Sequence, residues 1–379
     1  MTINNAKTWT KWTNGYPTVS TMDLKIHPRE HDLVIGTFGR AAYILDDIRP
    51  LREMAASKSD LMKKNLHFFE PPTSVMSIYR QAAGTRFKAN AIFSGENRRS
   101  GAMLSFVYNP NEEKKSKKDK NGVKGKIGGK KQKVKMEVLD EDGNVIRTIN
   151  HDVKPGLNRV YWGLRHKGVR SPNSPMRARQ GGREPGGRPV LPGSYTVRLS
   201  AGKDTTSQMV DVISDPRVGI NTRNLERLIP IYERQMELTK SVTAMMDRIR
   251  EAKNTIESVT KMLDEKNEGH KGLKKTGKAM TDSLDALQHL IVNKRGLQGI
   301  VRSPDILSSK VGAIGRYLYS NITGPNDSHT YLLDYAESET EKVLEKVNAF
   351  FKDDWPDYQT AVEDADLSLF KEYKPIKID

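Results

Sequence analysis

The sequence predicts a multidomain α+β chain with three parts: the end of a β-propeller amounting to about one blade, an Ig-like antiparallel β-sandwich, and an α-helical bundle. Three observations predict it. Short strand-like runs separated by turn residues fill positions 22–45. About six short segments of alternating polarity lie between 101 and 217. From 218 onward, apolar residues recur at spacings near three and four, the period of an amphipathic helix.

The first part, 1–52, holds three short strands: Met22–Ile26, Leu33–Thr37 and Ala41–Leu45. Pro28, Asp32 and Gly39 punctuate them as turn residues. Upstream, Thr2-Ile3-Asn4-Asn5-Ala6-Lys7-Thr8-Trp9 fits the Asp-box pattern Ser/Thr-x-Asp-x-Gly-x-Thr-Trp in register. Asn4 stands for the aspartate and Ala6 for the glycine. An Asp-box ties the turn between the two outer strands of a propeller blade, so Thr2, Asn4, Ala6, Thr8 and Trp9 are structural residues. One blade cannot bury its own faces. The chain is therefore expected to be the C-terminal portion of a larger protein.

Residues 53–100 read as a connector, stopped by Pro71-Pro72. Residues 101–217 read as the sandwich, with strands Ala102–Tyr108, Lys133–Leu139, Val145–Asn150, Asn158–Arg165, Gly193–Ala201 and Ser207–Ile213. Val134, Met136 and Val138 share one face. So do Val160, Trp162 and Leu164, and Tyr195, Val197 and Leu199. Asp140 to Asn144 forms a hairpin turn around Gly143. The alternation puts Trp162 in the core; a role in stacking on a sugar would need an exposure that the alternation does not predict.

Residues 218–379 read as a helical bundle. One stripe from Leu225 to Leu263 predicts a helix running from Thr222, about 60 Å long at ~1.5 Å per residue. Gly269 and Gly272 break it. A second helix covers Lys274–Val292. A third follows Ser303-Pro304, and a fourth runs from about Ser328 to Phe351, with Asp353-Asp354 before Trp355-Pro356 as its end. Each stripe is one face wide, which an antiparallel bundle satisfies. The long first helix leaves a homodimer through the helices open.

The closing segment carries a resemblance. Asp23-Leu24, Ile26-His27-Pro28-Arg29, Asp32-Leu33-Val34, Gly36-Thr37, Gly39-Arg40 and Tyr43-Ile44-Leu45-Asp46-Asp47 are similar to the propeller-closing motif of bacterial sortilin-type, BNR-repeat propeller proteins, often labelled glycosyl hydrolases. The chain departs at Phe38, where that family usually has His, and at Ala41, where it usually has Gly. Gly156 to Trp162, Pro192 to Leu199 and Asp215-Pro216-Arg217 also resemble that family's C-terminal region. The pattern from Asp140 through Leu199 looks like the Ig-like domain of flagellar hook-capping proteins. The resemblance implies upstream propeller blades as partners, a peptide or glycan ligand, and a periplasmic or extracellular location. It also implies structural roles for Asp23, His27, Pro28, Arg29, Asp32, Gly36, Thr37, Gly39, Arg40, Asp46 and Asp47.

Charge gives a further candidate. The net charge is +16. The segment 112–135 holds 11 Lys against three acids, and 165–188 holds six Arg and Lys167 against Glu184. These two segments carry nearly all of the excess and read as long solvated loops. Lys114, Lys115, Lys117, Lys118, Arg177 and Arg179 are the candidate contacts to a polyanion. Neither segment contains an aromatic residue for base stacking, which disfavours specific nucleic-acid binding.

Chemistry is harder to find. The chain has no Cys, which excludes disulfides and thiolate metal sites. No apolar run reaches the ~20 residues of a membrane span. His27 and His31 flank Pro28 on a turn and are not a helical metal pair. No nucleotide loop, zinc-protease motif or nucleophile elbow occurs, so neither cofactor nor metal is implied. Asp46 and Asp47 are adjacent on a strand and point to opposite faces. They cannot serve as the paired carboxyls, ~5–10 Å apart, that glycoside hydrolysis requires. The reading is a non-catalytic structural and interaction region. Two alternatives stay open: an accessory part of a BNR-repeat hydrolase with catalysis upstream, and a polyanion-binding module.

Overall fold

The computed structural model describes the chain except residues 1, 3, 5, 14, 58–59, 78–97, 111–131, 177–183, 266–269, 295–302, 304, 320, 322 and 366–379. It is a mixed α+β structure in two compact units. One comprises Met1–Lys167 with Gln180–Thr222, the other Gly168–Arg179 with Arg223–Asp379.

The first unit opens with β1 (Thr21–Ile26), β2 (Leu33–Thr37) and β3 (Ala42–Leu45), an antiparallel sheet in that order. Leu24, Ile35 and Tyr43 are cross-strand partners, and Ile26, Leu33 and Leu45 align beside them. Partners in register share a face, so these six residues make one continuous apolar face. None of the six is buried. Leu24 is 55% exposed, and Ile44 on the opposite face is 65% exposed.

Next come α1 (Arg49–Ala56), β4 (Leu66–Phe68) and β5 (Ser74–Met76). The segment 53–100 reads from its sequence as a connector, but β4 and β5 join the sheets that follow. Three-residue strands carry too little periodicity to be read alone and gain their hydrogen bonds from neighbours. The remaining strands are β6 (Ala102–Tyr108), β7 (Lys133–Leu139), β8 (Val145–Asp152), β9 (Gly156–Trp162), β10 (Arg165–Lys167), β11 (Gly186–Pro189), β12 (Gly193–Ala201) and β13 (Asp204–Ser214).

A five-stranded sheet, β5-β13-β12-β7-β8, and a three-stranded sheet, β4-β6-β9, share one apolar core. Leu104, Phe106, Val134, Met136, Val197, Leu199 and Val210 are all fully buried in it. Trp162 is 1% exposed, meets the Tyr195 ring edge-on at 5.3 Å, and donates its Nε1–H to the Arg165 carbonyl. It is a core residue with its polar atom satisfied. Gly101 is fixed by close approach: at φ +108, a Cβ there would lie 2.3 Å from the Trp162 carbonyl oxygen.

The segment 165–188 is not the single solvated loop that its composition suggested. Arg165–Lys167 pairs with Gly186–Pro189. Arg147, 6% exposed on β8, donates to the carbonyls of His166, Glu184 and Pro185. The hairpin β10–β11 is thereby tied to β8. A guanidinium buried at that depth needs acceptors, and these carbonyls supply them.

The second unit holds α2 (Thr222–Glu226), α3 (Ile229–Glu265), α4 (Lys271–Ile291), α5 (Leu307–Tyr319) and α6 (Asp327–Glu363). The first predicted helix is split, because the chain breaks at Arg227-Leu228 before Pro230 begins α3's first turn. The helix α3 spans 37 residues and packs on α4, α5 and α6. Val242, Met246 and Ile249 meet Leu284, Ile314, Leu333 and Val347 in one core.

The helix α6 begins one residue before the expected Ser328. Asn326 and His329 form a reciprocal capping box there. It also runs past its expected end at Phe351, through Pro356, to Glu363. A chain of ring contacts, Phe351–Trp355–Tyr358, and the burial of Tyr358 offset the backbone hydrogen bond that Pro356 cannot donate. The segment 168–176 also belongs to this unit. Arg170 pairs with Asp247, and Arg250 donates to the carbonyls of Pro172 and Ser174 at 2.7 Å each.

Candidate functional site

The sequence-predicted motif residues gather at two places in the first unit. At the N-terminal turn, Thr2 Oγ1 accepts from the Ala6 N–H at 3.0 Å, and Asn4 Oδ1 accepts from the Thr8 N–H at 3.0 Å. The Asn4 amide donates to Thr8 Oγ1 at 2.8 Å. Side-chain oxygens thus take the place of backbone partners and close the turn. Ala6 sits at φ +63, a left-handed conformation that favours glycine. Trp9 is 72% exposed.

The second place is the turn system around β1–β3. His27 Nδ1 accepts from the backbone N–H groups of Arg29 and Glu30, which fixes the turn at Pro28. Asp23 Oδ1 accepts from the Leu24 N–H. Thr37 donates its hydroxyl to the Ala41 carbonyl at 2.6 Å across Gly39 and Arg40. Gly39 lies at φ +78 and Ala41 at φ +61. Gly36 needs no such freedom; a Cβ there would make ordinary contact with Asp23.

Where β3 ends, the chain enters a cluster of acids and arginines. The Asp47 N–H donates to Asp32 Oδ1 at 2.8 Å. The Asp47 carboxylate is buried and holds both the Arg49 N–H and its guanidinium. Arg159, from β9, donates to the carbonyls of Asp46 at 2.7 Å and Asp47 at 3.0 Å, and to Ser105 Oγ at 3.1 Å. Arg98 reaches Glu30 at 3.2 Å and Asp32 at 3.7 Å. Burial pushes the Asp46 carboxyl up, opposed by the Arg98 charge. The Arg29 hydrogen bond holds Glu30 below the usual carboxylate range. Asp215-Pro216-Arg217 repeats the Asp47-x-Arg49 device where β13 ends. The buried Asp215 carboxylate holds the Arg217 N–H and guanidinium.

This arrangement orders backbone; it does not assemble a nucleophile with a base. The carboxylates of Asp32 and Asp47 are committed to N–H donors and arginines. Among the described residues, no three His, Asp or Glu converge as a cation site. No helix among them is long and apolar enough to cross a membrane. Lys114, Lys115, Lys117, Lys118, Arg177 and Arg179 lie outside the described residues. Arg98 and Arg159 were not singled out by the sequence analysis, although Arg159 stands within the quoted Gly156 to Trp162 run. Their roles follow from partners 54 to 113 positions away, which no local pattern encodes.

The second unit contains a cavity of about 320 Å³. It lies between α3, the C-terminal end of α4 and the segment 168–176. Models of known protein families match no part of the chain, and no curated protein matches it.

Proposed function

We infer that the chain is a non-catalytic structural and interaction region of an exported β-propeller protein. In this reading β1–β3 belong to the closing blade, the two sheets sharing a core form an Ig-like sandwich, and the helices form a bundle. The region supports or positions a ligand-binding propeller of the bacterial sortilin-type, BNR-repeat kind, whose ligand is a peptide or glycan.

The incompletely covered apolar face of β1–β3 carries the reading. Six apolar side chains in register with none buried is a surface that a soluble protein covers with another sheet. Two backbone conformations support the same reading. Ala6 and Ala41 stand where the Asp-box and the propeller-closing motif usually carry glycine, and both have φ near +60. The backbone keeps the glycine geometry although the glycine is gone.

Amide hydrogen exchange tests this. In the chain by itself, β1–β3 should exchange far faster than β12 and β13. Joined to preceding blades, the same amides should become protected. Protection of β1–β3 equal to that of β12 in a monomer of this chain alone would refute the reading.

A further inference from the structure

The strand β1 stands at the edge of its sheet, paired on one side with β2. All six of its residues, Thr21-Met22-Asp23-Leu24-Lys25-Ile26, are exposed. The turn that follows sets the hydrogen-bond phase of its open side. His27 donates its N–H to the Asp32 carbonyl at 2.8 Å, and the pairs Ile26↔Leu33, Lys25↔Val34 and Leu24↔Ile35 continue that register. Hydrogen-bonded and non-hydrogen-bonded pairs alternate along an antiparallel ladder. Lys25 is therefore bonded to β2, while Leu24 and Ile26 turn their N–H and C=O groups outward. The outward Leu24 N–H is met by the Asp23 carboxylate of its own strand at 2.8 Å. Among the described residues, neither Asp23 nor Lys25 is held in a salt bridge.

An outward row of peptide groups is a template for a further strand, and the sequence of β1 selects which. Laid antiparallel on a second copy with Leu24 opposite Leu24, β1 sets Ile26 opposite Met22. Twice, by symmetry, it sets Lys25 opposite Asp23. A slip of one residue puts Asp23 or Lys25 opposite Leu24 and joins an apolar face to a polar one. A slip of two puts Asp23 opposite Asp23, or Lys25 opposite Lys25, and like charges directly opposite are destabilising. One register remains, bounded by the bulge between Thr21 and Asp23.

We propose that two copies of this chain pair through their β1 edges, antiparallel about a two-fold axis at Leu24. The apolar faces of the two sheets become continuous, and the Asp23–Lys25 pairs lie on the reverse side. The pairing uses the edge and leaves the face open to a covering sheet, so it does not rest on the blade reading. A six-residue edge makes an interface below the ~1,200 Å² of a stable complex. The dimer therefore forms at concentrations on the order of 10–100 µM and dissociates below them.

Sedimentation velocity of the full chain from about 1 to about 500 µM tests the pairing. The average mass should rise from monomer towards dimer across that range. Asp23→Lys gathers four like charges around the axis and should weaken association about tenfold or more. Adding Lys25→Asp exchanges the charges and should restore the dimer. Leu24 opposite Leu24 brings the two Cα atoms to ~5.5 Å, within the span of a disulfide. Leu24→Cys, in a chain with no other Cys, should oxidise to a linked dimer. Ile44→Cys, also exposed but on β3, should not. All of these positions are exposed, so the fold does not depend on them. A chain that stays monomeric throughout overturns the proposal. So does a dimer that Asp23→Lys leaves intact, that the exchanged pair fails to restore, or that Leu24→Cys fails to link. Linkage through Ile44→Cys equal to that through Leu24→Cys overturns it as well.

Discussion

Arg159→Met should release the small sheet β1–β3 while leaving the two-sheet core intact. The Arg159 guanidinium makes three hydrogen bonds, to the carbonyls of Asp46 and Asp47 and to Ser105 Oγ. Methionine keeps the apolar stem and removes all three. Asp47 is 2% exposed and Ser105 4% exposed, so water does not replace the lost donors there. Leaving a buried acceptor unmet costs about 1–3 kcal/mol. The Asp46 carbonyl is only partly buried and regains water, so the sum is about 3 kcal/mol. That corresponds to about a hundredfold rise in the opening equilibrium of the attached segment, at ~1.4 kcal/mol per tenfold. Hydrogen exchange read by mass spectrometry on peptides spanning 33–52 measures it directly. Peptides from β12 and β13 serve as the internal reference. Arg159→Lys, with a single charged donor group, should recover only part of the protection. Unchanged exchange over 33–52 in a folded Arg159→Met protein would refute the reasoning. So would an equal rise across β12 and β13.

Three further outcomes follow from single positions. Ala41→Gly removes a left-handed strain of roughly 1–2 kcal/mol but adds unfolded-state entropy of roughly 0.4–1 kcal/mol. It should slow exchange in β2 and β3 slightly, and faster exchange there would contradict the assignment. Gly101→Ala sets a Cβ 2.3 Å from the Trp162 carbonyl at φ +108. A thermal melt should show a loss of several kcal/mol, of the order that strained and overpacked core sites give. Burial, aided by Arg188, pushes His166 down to about 4 from 6.5. The folded state then keeps His166 neutral while the unfolded chain takes up a proton near 6.5, so the unfolded state binds more protons between about 6.5 and 4. Stability should fall as the pH drops through that window, by at most about 3 kcal/mol, and level off below about 4. Urea titrations at stepped pH should show a shallower fall for His166→Asn. The same fall in the variant would remove His166 as its cause.

The strand runs of β1–β3 and of the two-sheet core were legible because alternation with period two is a local property. Val134, Met136 and Val138 face inward as their spacing required. The helices were legible for the same reason, as period-3.6 stripes. The turn at positions 2–8 was legible as a pattern of short polar residues, because it is made of contacts within eight positions. Local signals failed wherever a distant partner outweighed them. The three-residue strands β4 and β5 have no periodicity to read and exist because β6 and β13 supply their hydrogen bonds. Pro356 reads as a helix stop, yet Trp355 and Tyr358 hold α6 together through it.

By itself, the sequence determined the order of β and α regions, the buried faces, the turn chemistry and the two basic segments, because each is written within a few consecutive residues. Only the tertiary structure decided that the β1–β3 face is left without a buried residue, that Arg159 anchors that sheet's end, that Arg147 ties paired strands into a stretch that reads as loop, and that α3, the end of α4 and the segment 168–176 line one open polar pocket. Those features arise where side chains far apart in sequence meet in low-dielectric surroundings, and there the cost of an unmet donor or charge selects the partner.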